Sequence, residues 1–115
     1  MKGTTWRLGG LWLLLAGCGG NQFPPESPGL EIVTYTDSIR PLLQGRCLPC
    51  HATTVTGDAR QGAPFDVNFD SYTFARRNAN QANRMIQSGL MPPAGPLEEA
   101  DRLLFQTWIA QGLRE

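Results

Sequence analysis

Cys47-Leu48-Pro49-Cys50-His51 governs the interpretation of this 115-residue sequence. Two cysteines three residues apart, followed at once by a histidine, have the spacing through which c-type haem is attached. The two thiols form thioether bonds to the vinyl groups of the haem, so both must lie on one side of a single helical turn. The histidine then lies below the iron. The motif therefore predicts one covalent haem c with His51 as an iron ligand.

The N-terminal residues have the pattern of a bacterial lipoprotein signal peptide. Lys2 and Arg7 give a basic start, and the apolar run 8–16 is too short to span a bilayer as a helix. The run leads into Leu-Ala-Gly-Cys18, which resembles a lipobox, where small residues fit the signal peptidase and the thiol receives the lipid. We expect residues 1–17 to be removed and Cys18 to be lipidated. An ordinary secretory signal with an incidental cysteine is the alternative.

The cysteine count and the charge balance fit this scheme. Lipid would occupy one of the three cysteines and haem the other two, so none is left for a disulfide. Without Lys2 and Arg7, the 10 basic and 10 acidic residues become 8 and 10, a net charge of −2. Every remaining basic residue is an arginine. This balance argues against a nucleic-acid partner and against a lysine-rich docking face.

The mature chain is predicted to consist of a tether and one small domain. Residues 18–35 carry glycines and prolines without apolar periodicity, which is typical of a tether, and the last of them are expected to form an extended arm. Residues 36–115 are predicted to form the haem domain. Within it, a polar stretch over 52–64 is long for a loop, and wrapping a haem edge would explain it. A disordered insertion is the alternative.

Four helical segments are predicted in the haem domain. The first is capped by Thr36, Asp37 or Ser38 and runs into the haem motif, and the second is capped by Asp70 or Ser71. The third spans 80–88 and stops at Gly89, and the fourth spans 97–111. The last carries an apolar stripe that must be buried, made of Leu104, Phe105, Trp108 and Ile109. Before the second helix, Phe65, Val67 and Phe69 alternate with polar residues, which predicts a short extended segment with all three side chains facing inward.

The second axial ligand is predicted from the methionines. An electron-carrying haem needs two strong axial ligands, and His51 is the only histidine, so a methionine is expected. Met91 lies in the proline-stiffened stretch 90–96, which places its thioether on a defined loop. Met85 lies beside Ile86 at helical spacing, where methionine usually fills a core. Met91 is therefore the predicted distal ligand, and Met85 or an open sixth position is the alternative.

These motifs resemble those of the small class I cytochrome c domain, and more narrowly those of lipoprotein cytochromes of myxobacteria and related bacteria. The motifs that carry the resemblance are Cys47-Leu48-Pro49-Cys50-His51, Met91-Pro92-Pro93, the acidic start of the last helix, and Trp108-Ile109-Ala110-Gln111-Gly112. The resemblance covers residues 37–112. It implies an all-α fold of three to five short helices around one covalently bound haem, with the N- and C-terminal helices in contact.

The resemblance also assigns roles to individual residues. It implies that Cys47 and Cys50 bind haem, that His51 is the proximal ligand and Met91 the distal one, and that the aromatic residues of the last helix lie in the helix contact or against the ring. A glycine after the lipidated cysteine resembles the default pattern for sorting to the outer membrane.

The expected function is that of a lipid-anchored, periplasm-facing monohaem cytochrome that carries single electrons between redox partner proteins. Such a protein is not an enzyme in its own right and needs no small-molecule substrate. One alternative is a haem-based sensor or ligand-binding haem protein with a labile sixth ligand. Another is a module without haem, in which Cys47 and Cys50 form a redox dithiol or join His51 in a zinc site.

Overall fold

The computed structural model describes Gly3 and residues 31–115. This part of the chain is helical and contains no strand, so the all-α prediction is confirmed for it. The predicted signal peptide over 1–17, the lipidation site Cys18 and most of the tether lie outside the described residues. The helical elements are, in chain order, a π-helical turn Tyr35–Ile39, α1 Arg40–Arg46, α2 Leu48–His51, a 3-10 turn Gly57–Arg60, α3 Tyr72–Gln87 and α4 Glu99–Ala110.

The first helical segment begins earlier than the sequence predicts. Thr34 is the N-cap, because its hydroxyl oxygen accepts a hydrogen bond from the Asp37 N–H at 3.1 Å. The prediction of a cap at residues 36–38 is therefore wrong, since those residues already lie inside the π-helical turn. Pro41 is the second residue of α1, which directly follows the π-helical turn.

A single helix, α3, replaces the two segments predicted after residue 70. Ser71 caps it as predicted, by accepting a hydrogen bond from the Phe74 N–H at 3.2 Å. The sequence predicts a break in the middle of this helix because polar residues dominate there. Asn78 is nevertheless buried, and its side-chain amide donates to the Asn68 carbonyl at 3.1 Å.

Gly89 stops α3 as predicted. Its φ of +76° is left-handed, a conformation that glycine adopts at little cost. The Gly89 N–H donates to the Ile86 carbonyl at 3.1 Å, and the Leu90 N–H donates to the Met85 carbonyl at 3.0 Å. These two bonds form a Schellman motif, which turns the chain directly into the segment that carries Met91.

Helix α4 supplies the largest side chains of the core. Phe105 and Trp108 are fully buried, whereas Leu104 and Ile109 are only partly buried, so the apolar stripe is narrower than predicted. The buried core of the described domain consists of Val33, Tyr35, Ile39, Leu43, Phe69, Ala75, Ala79, Ile86, Leu97, Phe105 and Trp108. The first and last helical segments meet within this core, at the π-helical turn.

The extended arm before the first helix is bound to the end of α4. The Val33 N–H donates to the Gln111 side-chain oxygen at 2.8 Å, and the Tyr35 N–H donates to the Arg114 carbonyl at 2.8 Å. The Trp108 indole N–H donates to the same carbonyl at 2.7 Å. The beginning and the end of the described domain therefore lie side by side.

The alternating segment 65–69 does not face inward as predicted. Phe65 is 85% exposed, Val67 is half-buried, and Phe69 alone is buried. The alternation has no effect here because no strand lies beside the segment to pair with it in the described part of the chain. The Phe69 N–H instead donates to the His51 carbonyl at 2.9 Å, which ties the segment to the end of α2.

Candidate functional site

The two cysteines and the histidine lie at the junction of α1 and α2. Cys47 separates the two helices, and its carbonyl accepts hydrogen bonds from the Cys50 N–H at 3.2 Å and the His51 N–H at 2.9 Å. These bonds close one helical turn, so Cys47 and Cys50 lie one above the other on one side of it. Both thiols are free and half-buried. Cys47 and Cys50 therefore share one helical turn, as the spacing of the motif predicts.

The His51 ring is fixed by a hydrogen bond to the main chain. Its Nδ1 lies 2.7 Å from the Val67 carbonyl oxygen. A carbonyl oxygen can only accept, so Nδ1 carries the proton of the neutral ring. Nε2 then has a free lone pair, which is the form of histidine that binds a metal.

Phe69 supports the same ring from another side. The two ring centroids are 5.3 Å apart and the planes meet at 71°, an edge-to-face arrangement. The orientation of the His51 imidazole is thus determined by one hydrogen bond and one buried aromatic neighbour. Both come from the segment 67–69, which lies more than fifteen residues away in sequence.

An apolar cleft lies beside the haem motif. It contains about 630 Å³ of space between its atoms, part of it open to solvent. Its lining residues are Leu43, Cys47, His51, Pro64, Val67, Phe69, Gln81, Ala82, Met85, Ile86 and Met91. A smaller recess adjoins it and is lined by Arg46, Cys47, Cys50, His51, Ile86, Met91, Pro92, Pro93 and Leu97. All four predicted haem-binding residues line the cleft or the recess.

Both candidate methionines lie at the cleft. Met91 lines the cleft and also the recess beside Cys50, whereas Met85 lines the cleft alone. The two are linked through the main chain, because the Met91 N–H donates to the Met85 carbonyl at 3.2 Å. Met91 therefore follows directly from the C-cap of α3, and Met85 belongs to the last turn of that helix.

Arg60 organises the polar loop between the haem motif and α3. Its side chain is only 7% exposed and donates only to uncharged oxygens. The acceptors are the carbonyls of Ala52, Val55, Ala63, Pro64 and Val67, and the side-chain oxygen of Asn68. The 52–64 stretch is thus a folded loop around a buried guanidinium. Neither Arg60 nor Asn68 is predicted from the sequence, because one arginine in a polar stretch carries no signal of burial.

No family model, curated protein or solved structure matches this chain. In the part of the chain that the structure describes, no helix is long and apolar enough to cross a membrane.

The environment of Cys47 bears on the alternatives without haem. Burial raises the pKa of the Cys47 thiol to about 11, and the nearby Arg46 lowers it only in part. A redox dithiol needs a thiolate with a lowered pKa, and Cys47 does not meet this requirement. Among residues 31–115, no group of three or more His, Cys, Asp or Glu side chains is arranged to hold a metal ion.

The donor set fits a covalently attached haem. Two thiols on one helical turn can form the two thioether bonds, and the free Nε2 of His51 and a methionine thioether are the two axial donors that an electron-carrying haem requires. The apolar lining suits a large hydrophobic ring.

Proposed function

We propose that this protein is a monohaem c-type cytochrome that carries single electrons between redox partner proteins. One observation carries the proposal: the hydrogen bond from His51 Nδ1 to the Val67 carbonyl leaves Nε2 free at a cleft that Cys47 and Met91 also line. Cys50 lies in the adjoining recess. These are the residues that a covalent haem with histidine and methionine ligands needs.

The proposed roles follow from the chemistry of each side chain. Cys47 and Cys50 would hold the haem covalently, and His51 and Met91 would be its axial ligands. The bound haem would supply the one-electron chemistry, while the protein sets the potential through ligation and burial. The Val67 hydrogen bond would keep the His51 ring in one orientation in both oxidation states, which favours fast electron transfer.

The helical arrangement supports a class I cytochrome c-like fold. The haem motif ends the first helical segment, that segment contacts α4, and the methionine loop connects α3 to α4. We propose that the domain has this fold over residues 36–115. We also propose that lipid on Cys18 anchors it to the bacterial envelope, facing the periplasm, with the outer membrane as its location.

Expression of the full chain in a bacterium that attaches c-type haem tests the proposal. We expect the detergent-extracted protein to be red, with an intact mass greater by one haem that survives denaturation. Cys47→Ser and Cys50→Ser should each lose one thioether bond. A mass without haem would contradict the proposal and support a dithiol or zinc module.

Binding of carbon monoxide separates the electron carrier from a haem sensor. A firm methionine ligand must leave before the gas can bind, so the reduced protein should bind carbon monoxide slowly. Rapid binding by the reduced wild-type protein would instead indicate a labile sixth position and a sensor. The Met91→Ala variant is the matched control, because it should bind the gas rapidly in either case.

A further inference from the structure

Arg60 and His51 donate to the same main-chain oxygen. The Val67 carbonyl accepts from His51 Nδ1 at 2.7 Å and from Arg60 Nη2 at 3.3 Å. The guanidinium is buried, and no carboxylate hydrogen-bonds to it among the bonds that Arg60 makes in the described domain. Burial raises the pKa of Asp70, hydrogen bonds from Thr53 lower it, and the charge of Arg60 adds to the lowering.

Sharing one acceptor has a consequence for the imidazole. Two donors compete for the electron density of one carbonyl oxygen, so the bond to Arg60 weakens Val67 as an acceptor for His51. A weaker hydrogen bond at Nδ1 leaves less negative charge on the ring, and Nε2 becomes a weaker electron donor. The positive charge of Arg60 acts in the same direction, because it disfavours additional positive charge nearby.

We infer that Arg60 is a positioning residue that lowers the donor strength of His51 through the shared Val67 carbonyl, and thereby raises the reduction potential of the site. This inference rests on the proposed haem attachment. Ferric iron depends on a strong donor more than ferrous iron does, so weakening the donor favours the reduced state. The loop 52–64 therefore does more than cover a haem edge, since it carries the group that adjusts the proximal ligand.

The test compares Arg60→Met and Arg60→Lys with wild type in the haem-loaded full chain. Methionine keeps the length of the side chain and removes its charge and its donors, so we expect the ferrous-to-ferric ratio at fixed potential to fall about tenfold, which is 59 mV for one electron. Lysine keeps the charge but cannot reach the same set of carbonyls, so we expect a fall of about threefold.

A second measurement separates this effect from a loosened loop. In a Met91→Ala background the sixth position is open, and resonance Raman of the reduced form gives the iron–histidine stretching frequency. We expect this frequency to rise in both Arg60 variants, because the Nδ1 hydrogen bond becomes stronger. A loop that merely loosens would weaken that bond and lower the frequency.

The outcomes are distinguishable. Unchanged potential and frequency in Arg60→Lys overturn the inference even if Arg60→Met does not fold. A lower potential with a lower frequency also overturns it, since the effect then comes from loop disorder. Absence of covalent haem in the wild-type protein would instead refute the proposed function itself.

Discussion

Replacing Phe69 by leucine is expected to destabilise the protein and to change the ligation of the haem, whereas the same change at Phe105 should affect stability alone. The two phenylalanines are closely matched: they are 5% and 0% exposed. Each also belongs to an edge-to-face pair, Phe69 with His51 at 5.3 Å and 71°, and Phe105 with Trp108 at 5.6 Å and 65°. They differ in that Phe69 alone touches a predicted iron ligand.

The expected destabilisation can be worked out from these contacts. Loss of an aromatic pair costs about 0.5–1.5 kcal/mol. The change of shape in a packed core costs up to about 1.5 kcal/mol when the volume is nearly kept. We therefore expect each variant to lose about 0.5–3 kcal/mol of unfolding free energy, with a central value of about 1.75 kcal/mol. With a urea dependence of about 1.5 kcal/mol per molar, the midpoint of unfolding should fall by about 1 M.

Urea unfolding and electron paramagnetic resonance of the ferric protein test this prediction. Both variants should unfold at similarly lower urea concentrations. Only Phe69→Leu should change the g-values, because only there does the imidazole ring lose the neighbour that fixes its rotation. Equal changes of g-values in both variants, or none in Phe69→Leu, would refute the account of how His51 is oriented.

Three further predictions concern the distal ligand, a surface carboxylate and the anchor. Met91→Ala should abolish the near-infrared methionine-to-iron band and lower the reduction potential, while Met85→Ala should leave both unchanged; the reverse result would make Met85 the ligand. Burial raises the pKa of Asp70, but hydrogen bonds from the Thr53 hydroxyl and amide outweigh it and leave the pKa below its ordinary value. The carboxylate therefore stabilises the fold above its unfolded-state pKa and ceases to do so as the pH falls through the lowered value. Asp70→Asn should lower the melting temperature at neutral pH, and this effect should shrink as the pH falls through that value; an effect independent of pH would contradict this. Labelled palmitate should enter the wild-type chain but not Cys18→Ser, and labelling of the variant would show that the lipid lies elsewhere.

The features that the sequence predicts correctly depend on neighbouring residues. Ser71 caps α3 because its hydroxyl lies three residues from the N–H that it accepts, and Gly89 ends the helix because its own φ is positive. The spacing of Cys47, Cys50 and His51 likewise needs only one helical turn. Such local signals do not depend on how the rest of the chain folds.

The features that the sequence does not reveal depend on distant main-chain atoms. The acceptor of His51 is a carbonyl sixteen residues away, and every residue has a carbonyl, so no residue type marks it. The prediction that Phe65 is buried is wrong for a related reason. Alternation predicts burial only if a strand lies beside the segment, and none does in the described domain. The sequence does not distinguish Arg60 from a surface arginine, because its acceptors come together only in the folded loop.

The buried Arg60 also determines which parts of the loop can change during evolution. Five of its six acceptors are main-chain carbonyls, which are present whatever side chains the loop carries. Arg60 therefore holds the loop mainly through atoms that are present in every sequence, whereas Gly57 and Gly62 are constrained by their own left-handed φ values of +58° and +82°. A segment built this way can keep its fold while its sequence diverges, so geometry is a better guide to its relatives than residue identity.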